Sequence, residues 1–339
     1  MKLLSIAVPC YNSEAYMRNC IESLLAGGEE VEIIIVDDGS TKDKTAEIAD
    51  EYMEKYPTIV KAIHQENGGH GAAVNTGLRN ATGLYYKVVD SDDWLNREAF
   101  LKVLSVLDRV TRGSETLDAL ICNYVYEKVG VKKKRVMRYP NAFPADRIFG
   151  WDEVKPLGKS KYVLMHSLIY RTELLRECGL ELPEHTFYVD NLVAFQPMMY
   201  VKTMYYLDVN LYRYYIGRED QSVNEAVMLK RMDQQIRVNK LMIDAIESEK
   251  INQKQHRGYI IHYLSIIMTV SSILLLRAQT EESFQEKQEL WKYLKTKDAV
   301  LYCKLRYGLL GRLVNLPGKG GRKVSVAGYK LAQRFYGFN

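Results

Sequence analysis

The sequence predicts an α/β fold with a mostly parallel sheet, followed by a helical C-terminal region. Over the first 110 residues, short apolar runs alternate with segments of helical period. Strands that alternate with helices at this spacing form a parallel sheet covered on both faces. From Asn224 to about Lys297 the pattern is strongly helical. We therefore predict an α/β domain over residues 1–220 and a helical region over 221–339.

Four strands and three helices are predicted in the first 90 residues. The predicted strands are Leu3–Val8, Val31–Val36, Ile59–Ile63 and Tyr85–Val89. The predicted helices are Ser13–Leu25, Lys42–Lys55 and His70–Asn80. Further strands are predicted at Ala119–Tyr126 and Val163–Tyr170. In such a sheet, ligands bind at the carboxyl ends of the strands.

Composition excludes several classes of protein. With 47% hydrophobic residues, 26% charged residues and only 8 prolines, the chain is neither disordered nor fibrous. The five cysteines are widely spaced and form no C-x-x-C pair, so neither a disulfide framework nor a zinc site is indicated. The first apolar stretch meets Pro9 too early for a signal peptide. We expect a cytoplasmic protein, at most held at the inner face of the membrane.

The net charge of +5 comes from one end of the chain. Residues 299–339 contain eight basic residues and no acidic one, whereas the rest has 39 basic against 42 acidic residues. The basic residues are Lys304, Arg306, Arg312, Lys319, Arg322, Lys323, Lys330 and Arg334. Aromatic residues interleave with them, which is typical of segments at an anionic lipid surface. A solvated helix face that packs on the α/β domain would have the same pattern. The acidic body argues against nucleic acid as a partner.

The segment Tyr259–Leu276 has no charge over 18 residues. As a helix it would be about 27 Å long, a little less than the roughly 30 Å core of a bilayer. It also contains several hydroxyl side chains and a histidine. We therefore predict a buried helix in a bundle, or in a homo-oligomer interface, rather than a membrane span.

Polar residues follow each of the four predicted strands. These polar segments are residues 9–12, 37–40, 67–71 and 90–93. Asp90, Asp92 and Asp93 repel one another, so a solvated loop or a bound cation must relieve them. Oxygen ligands alone suit Mg²⁺ or Mn²⁺, which bind through carboxylates and substrate phosphates. The alternative is an acidic loop that caps a helix starting near Asn96.

Two further strand ends are candidates for nucleotide binding. In Asp37–Ser40, a carboxylate could accept from a nucleobase N–H or from ribose, or the segment could be an ordinary turn and helix cap. The Asn67–Gly71 loop resembles a phosphate cradle in its glycine content but lacks the lysine of a P-loop. No G-x-G-x-x-G follows a strand, which disfavours a dinucleotide oxidoreductase.

Four segments together resemble the family-2 glycosyltransferases, which have the GT-A fold. They are S-I-A-V-P-C-Y-N (5–12), I-I-I-V-D-D-G-S-T-K-D-K-T (33–45), E-N-G-G-H-G-A-A-V-N-T-G-L (66–78) and Y-Y-K-V-V-D-S-D-D-W-L (85–95). The resemblance implies a nucleotide-sugar donor, usually a UDP-sugar, whose base and ribose lie on Pro9, Tyr11 and Asp38. The D-x-D element of Asp90 and Asp92, with Asp93 beside it, would hold the divalent cation.

The resemblance does not identify the positively charged side chain that binds the donor phosphates. Many members have an arginine where this chain has Val74, so the donor phosphates need another positive group. Residues 212–224 look like the family's flexible arginine-containing segment, which puts Arg218, with Gln221 or Ser222, on the phosphates; a plain surface loop is the alternative. The donor-binding candidates are Pro9, Tyr11, Asn12, Asp38, Gly69, His70, Asp90, Ser91 and Arg218. His166 is a candidate for the acceptor site, although a lone histidine on an apolar strand often belongs to the core.

Inverting members of the family also have a catalytic aspartate about 100 residues after the metal motif. Asp190 fits that position, although the usual preceding glutamate is Val189 here. Asp190 would take the proton from an acceptor hydroxyl as that oxygen attacks the anomeric carbon; alternatively it caps a helix over Asn191–Tyr200. The predicted function is metal-dependent inverting transfer from a nucleoside-diphosphate sugar to a glycan, glycoprotein or lipid-linked hydroxyl. A catalytically silent nucleotide-sugar-binding or scaffold protein is the alternative.

Overall fold

A computed structural model describes residues 2–131, 134–158, 161–217, 225–247 and 249–336. The chain forms two compact units. Unit 1 consists of Met1–Lys155 and Val163–Ile216, and unit 2 consists of Pro156–Tyr162 and Gly217–Asn339.

The described part of unit 1 contains a ten-stranded mixed sheet. The strands are β1 (Leu4–Cys10), β2 (Val31–Asp37), β3 (Val60–His64), β4 (Tyr85–Val88), β5 (Trp94–Leu95), β6 (Ala119–Lys128), β7 (Arg135–Met137), β8 (Ile148–Phe149), β9 (Leu168–Arg171) and β10 (Met204–Ile216). Their order is β3-β2-β1-β4-β9-β6-β10-β5, with β7 on β6 and β8 on β10. The first four strands pair in parallel, whereas β9 runs antiparallel to both of its neighbours.

Helices flank this sheet as the periodicity predicts. They are α1 (Met17–Leu24), α2 (Thr45–Lys55), α3 (His70–Asn80), α4 (Arg97–Thr111), α5 (Thr172–Glu177) and α6 (Asp190–Phe195). β1 and β2 are buried along their whole length, because helices cover both faces of a parallel sheet. Asn96 caps α4 by accepting from Ala99 N–H at 3.0 Å, so this cap does not need the acidic cluster. The predicted α/β fold is confirmed.

Two predicted elements differ in the structure. The strand expected over Val163–Tyr170 begins only at Leu168, because Met165–Ser167 form a 3₁₀ turn. The helix expected over Asn191–Tyr200 is α6, which ends at Phe195 before a 3₁₀ turn at Pro197–Met199. Proline at position 197 has no N–H to continue the α-helical ladder.

Unit 2 is helical. Its helices are α7 (Glu225–Lys230), α8 (Met232–Asp244), α9 (Lys254–Ala278), α10 (Glu281–Lys297), α11 (Ala299–Tyr307), α12 (Leu309–Val314) and α13 (Gly318–Tyr336). Among the described residues, α9 is the one helix long and apolar enough to cross a membrane, and 72% of its most apolar window is buried inside the structure. Its Ser271 accepts from Asn239 of α8 at 3.0 Å, and its Ser272 accepts from Trp291 of α10 at 3.0 Å. These polar contacts are those of a bundle core.

The end of β3 carries a histidine between two carboxylates. His64 Nδ1 lies 3.1 Å from Asp37 Oδ2, and its Nε2 lies 3.1 Å from Asp50 Oδ1. Burial lowers the pKa of His64, but the hydrogen bonds and charges of both carboxylates outweigh it and raise the pKa above its ordinary value. The imidazolium is therefore a pH-dependent link between β2, β3 and α2.

His64→Gln tests this link. Stabilisation by protonated His64 is complete below the unfolded-state pKa of about 6.5, and it is lost as pH rises through the higher folded-state pKa. The difference in unfolding free energy between wild type and variant should therefore shrink as pH rises above about 6.5. Urea unfolding at several pH values measures it. A difference that is constant with pH would contradict the assignment.

Candidate active site

The rim of the sheet is organised by a buried carboxylate. Asp38 follows β2 and is only 2% exposed. Its Oδ1 accepts from Gln65 Nε2 at 2.7 Å and from Gly68 N–H at 2.9 Å, and its Oδ2 accepts from Gly69 N–H at 2.7 Å. Asn67 Nδ2 donates to Oδ2 as well, at 3.1 Å. Because a buried carboxylate needs such donors, Asp38 fixes the loop that precedes α3.

This loop in turn holds the segment that leads to α6. His185 N–H donates to Gly68 C=O at 2.6 Å, and Asn75 of α3 exchanges hydrogen bonds with the Leu182 backbone at 2.8 and 2.9 Å. Gly69 has a φ of +85°, and a Cβ on it would lie 3.1 Å from the His185 backbone. A Cβ on Gly71 would lie 2.7 Å from Pro183 C=O. The glycines of the third motif therefore permit close packing of two backbones.

The three aspartates after β4 have different environments. Asp93 is fully buried and accepts from Tyr212 O–H at 2.6 Å and from Tyr215 N–H at 2.7 Å. Burial, together with the charges of Asp92 and Asp90, raises the pKa of Asp93 well above its usual range. Asp92 is half-buried beside it. The cluster thus concentrates negative charge on a partly desolvated rim.

Asp90 is balanced by histidine. His70 Nε2 lies 2.8 Å from Asp90 Oδ1. Burial acts to raise the pKa of Asp90, but the hydrogen bond and charge of His70, with smaller contributions from His166 and Lys87, hold it below its usual range. The pKa of His70 is raised in turn, because Asp90, Asp190 and Asp92 outweigh the effect of burial. The neighbouring carboxylates thus favour the protonated form of His70 at the start of α3.

His166 faces the same cluster. It lies on the 3₁₀ turn before β9, and its ring packs against Tyr212 and Tyr214 at centroid distances of 4.7 and 4.3 Å. Burial lowers the pKa of His166 to about 4, so the imidazole is neutral at pH 7. Both ring nitrogens are buried without a hydrogen-bond partner within the described chain.

These side chains fit a divalent cation. Asp90, Asp93 and His166 each offer one ligand atom, and the three atoms lie within 4.8 Å of one another. Two carboxylates and one unpartnered neutral imidazole are suitable ligands for a divalent transition metal such as Mn²⁺. The histidine that the sequence assigned to the acceptor thus lies beside the acidic cluster.

Lys87 of β4 is a participant that the sequence analysis missed. It is 1% exposed, and its Nζ donates to the C=O groups of His166 at 2.9 Å and Leu168 at 3.2 Å. Nζ also lies 5.0 Å from the centre of the Tyr212 ring. Burial lowers the pKa of Lys87 to about 8. A lone lysine in an apolar strand was the signal for it, and its contacts fix the turn that carries His166.

Asp190 is brought to this rim from a distant part of the sequence. It is the first residue of α6, and Val189 occupies the cap position. Burial raises the pKa of Asp190 to about 6; the charge of Asp90 adds to the rise and that of His70 opposes it. A carboxylate with this pKa is ionised at pH 7 and basic enough to accept a proton.

The remaining candidates lie at the ends of β1 and β4, on α3, or outside the described residues. Tyr11 is 49% exposed, and Pro9 is buried. Asn12 donates from its N–H to Ser40 Oγ at 2.9 Å, and Ser91 Oγ lies 2.9 Å from Ser13 Oγ. Buried Val74 accepts from Tyr86 O–H through its C=O at 2.9 Å. Arg218, Gln221 and Ser222 lie outside the described residues.

A mixed α/β sheet that carries an acidic cluster and a separate aspartate of raised pKa at one rim has the arrangement of an α/β ligand-binding site. Residues 5–149 match the family model described as glycosyl transferase family 2. This match confirms the resemblance drawn from the four motifs.

Relatives agree with this assignment. The uncharacterized glycosyltransferase EpsJ of Bacillus subtilis is 33% identical over 224 residues, which cover 62% of this chain and 60% of EpsJ. The chain thus spans about three fifths of the length of this relative.

Solved structures share the fold. The crystal structure of Staphylococcus aureus TarS 1–349 matches with a TM-score of 0.66 at 20% identity, over 99% of this chain and 91% of TarS 1–349. Its complex with UDP-GlcNAc matches with a TM-score of 0.61. The mannosyltransferase PcManGT of Pyrobaculum calidifontis, in complex with GDP-Man and Mn²⁺, matches with a TM-score of 0.51 at 15% identity, over 90% of this chain and 87% of PcManGT.

Gly69→Ala tests the packing of the third motif. Gly179→Ala is the matched control, because Gly179 also has a positive φ but a Cβ there meets nothing within 4 Å. The control should lose about 1 kcal/mol of unfolding free energy from backbone strain alone, and Gly69→Ala about 2–4 kcal/mol. Urea unfolding measures both. Equal losses would contradict the close approach of the two backbones.

Proposed function

We propose that this protein is a metal-dependent inverting glycosyltransferase that moves a sugar from a nucleoside-diphosphate sugar to a hydroxyl acceptor. One observation carries the proposal: the acidic cluster, which lies within the residues that match the family model, has beside it a buried histidine without a hydrogen-bond partner among the described residues and a separate aspartate of raised pKa. The first group suits a metal and diphosphate, and the second suits a base.

The nucleotide would lie across the ends of β1 and β2. Half-exposed Tyr11 offers a ring face to a base, and Pro9 and Asn12 flank it. Asp38 is buried and its two oxygens already accept four side-chain and backbone hydrogen bonds, so it would act by shaping the loop of Gly69 and His70. A UDP-linked donor is proposed because a relative of the same fold, TarS, is known in complex with UDP-GlcNAc.

The diphosphate would lie near Asp90 and Ser91. Asp90, Asp93 and His166 would hold a Mn²⁺ or Mg²⁺ ion, with Asp92 beside them. When bound, the cation offsets the charge that develops on the departing diphosphate. Protonated His70 at the start of α3 would supply the positive charge for the phosphates that Val74 does not provide. Arg218 stays a proposed second phosphate ligand.

Asp190 would act as the general base. The acceptor hydroxyl loses its proton to the Asp190 carboxylate while its oxygen bonds to the anomeric carbon. The bond from that carbon to the diphosphate oxygen breaks in the same step. A single displacement inverts the anomeric centre and needs no nucleophilic carboxylate. A cytoplasmic site of action and a glycan or lipid-linked acceptor complete the proposal.

His166→Phe tests the metal site without measuring turnover. Phenylalanine keeps the ring packing against Tyr212 and Tyr214 but removes both nitrogens. Mn²⁺ affinity in the presence of UDP, measured by electron paramagnetic resonance, should fall at least about tenfold. His64→Gln is the control, because His64 contacts other carboxylates, and it should bind Mn²⁺ like wild type. Unchanged affinity in His166→Phe would remove His166 from the metal site.

Asp190→Asn tests the base. With Mn²⁺, an acceptor and a panel of nucleotide sugars that begins with UDP-GlcNAc, we expect kcat for release of nucleoside diphosphate to fall about 10²–10⁴-fold. Donor affinity should stay within about twofold, because the carboxylate acts on the acceptor. Glu173→Gln, an exposed acid in the first turn of α5, is the matched control.

Two outcomes would contradict the proposal in different ways. Full activity in Asp190→Asn would remove Asp190 as the base but keep the transferase. Donor binding by wild type with no release of nucleoside diphosphate, for any donor and acceptor, would favour a catalytically silent binding protein.

A further inference from the structure

Exposed apolar side chains are concentrated near the end of the described chain. Five large hydrophobic residues between positions 300 and 324 are 46–66% exposed: Val300, Tyr307, Leu309, Leu313 and Val324. They lie on α11, α12 and α13 of unit 2. We call them, with the cations between them, the tail surface.

The exposed residues recur on single helix faces. Val300, Lys304 and Tyr307 are spaced by four and three residues on α11, and Leu309, Arg312 and Leu313 have the equivalent spacing on α12. The opposite faces are buried through Leu301, Leu305 and Val314. Packing within unit 2 therefore accounts for one side of these helices and leaves the apolar residues of the other side exposed.

The charge of the tail surface has one sign. No acidic residue occurs between Ala299 and Asn339. Lys304, Arg312, Lys319, Lys323 and Lys330 are exposed and, within the described residues, form no ion pair. By contrast Lys297, just before this segment, pairs with Asp244 at 2.7 Å. The cations are thus available to an external anionic surface.

We propose that the tail surface binds an anionic phospholipid membrane. Lysine and arginine side chains attract anionic headgroups, while leucine and valine side chains insert about 5–10 Å, to the boundary of the acyl chains. A second copy of the same surface would bring like charges together. A polyphosphate or nucleic acid would satisfy the cations but give the exposed leucines no apolar environment.

The structure also indicates the strength of this association. The apolar helix α9 packs in the core of unit 2, where 72% of its most apolar window is buried, so the proposed contact rests on the tail surface and not on α9. A surface of short amphipathic helices binds reversibly, and its electrostatic part is screened by salt. This inference does not depend on sugar transfer, so each can fail without the other.

Co-sedimentation of the full chain with vesicles tests the proposal. Wild type should bind phosphatidylcholine vesicles that contain about 30 mol% of the anionic lipid phosphatidylglycerol. It should not bind vesicles of phosphatidylcholine alone. Lys319→Gln with Lys323→Gln should weaken binding about 30-fold, since each cation near the surface contributes about fivefold. Leu309→Ser with Leu313→Ser should weaken it at least about tenfold.

Matched controls come from unit 1. Lys102→Gln with Lys155→Gln removes two exposed cations, and Leu101→Ser removes a leucine that is 44% exposed; both should bind like wild type. Leu313→Trp gives a second readout that needs no loss of binding. Its emission should shift to the blue on addition of phosphatidylglycerol vesicles, whereas Leu101→Trp should not shift.

Three results would overturn the proposal. The first is no binding by wild type, and the second is equal binding to both kinds of vesicle. The third is wild-type binding by the leucine variant together with displacement by soluble polyphosphate, which would identify an anionic-polymer site instead.

Discussion

The buried carboxylate of Asp38 is the constraint on which the candidate site depends. Four hydrogen-bond donors from residues 65–69 surround it, so the loop before α3 has little freedom. That loop packs its glycine backbone against 182–185, and the segment continues to Asp190 at the start of α6. A carboxylate at the end of one strand thereby sets the position of another about 150 residues later.

A second set of contacts, from β4 and β10, holds the acidic cluster and the turn beside it. Tyr212 of β10 donates to Asp93, and Lys87 of β4 holds the backbone turn that carries His166. Like charges at the rim are therefore accommodated by contacts from two strands that are far apart in sequence. Such an arrangement keeps the acidic cluster compact.

The sequence predicts the local features of this site well. Alternating periods identify the first four strands, and the polar residues after them identify the rim, because parallel strands end at the same edge. Lys87, Tyr212 and Tyr214 were not predicted as site residues, since their roles arise from the pairing of β4, β9, β6 and β10. Periodicity gives no information on which distant strands become neighbours. The 3₁₀ turn at His166 was predicted as part of a strand, because its apolar neighbours in the sequence fit either structure.

The central claim is that the rim binds a nucleotide sugar through a cation held by this chain's own side chains. Anomalous diffraction from crystals grown with UDP and Mn²⁺ tests it most directly. We expect a manganese peak at coordination distance from an Asp90 or Asp93 oxygen and a His166 nitrogen, with the diphosphate bound to the same ion. UDP bound at the rim without manganese, or manganese bound away from these residues, would contradict it.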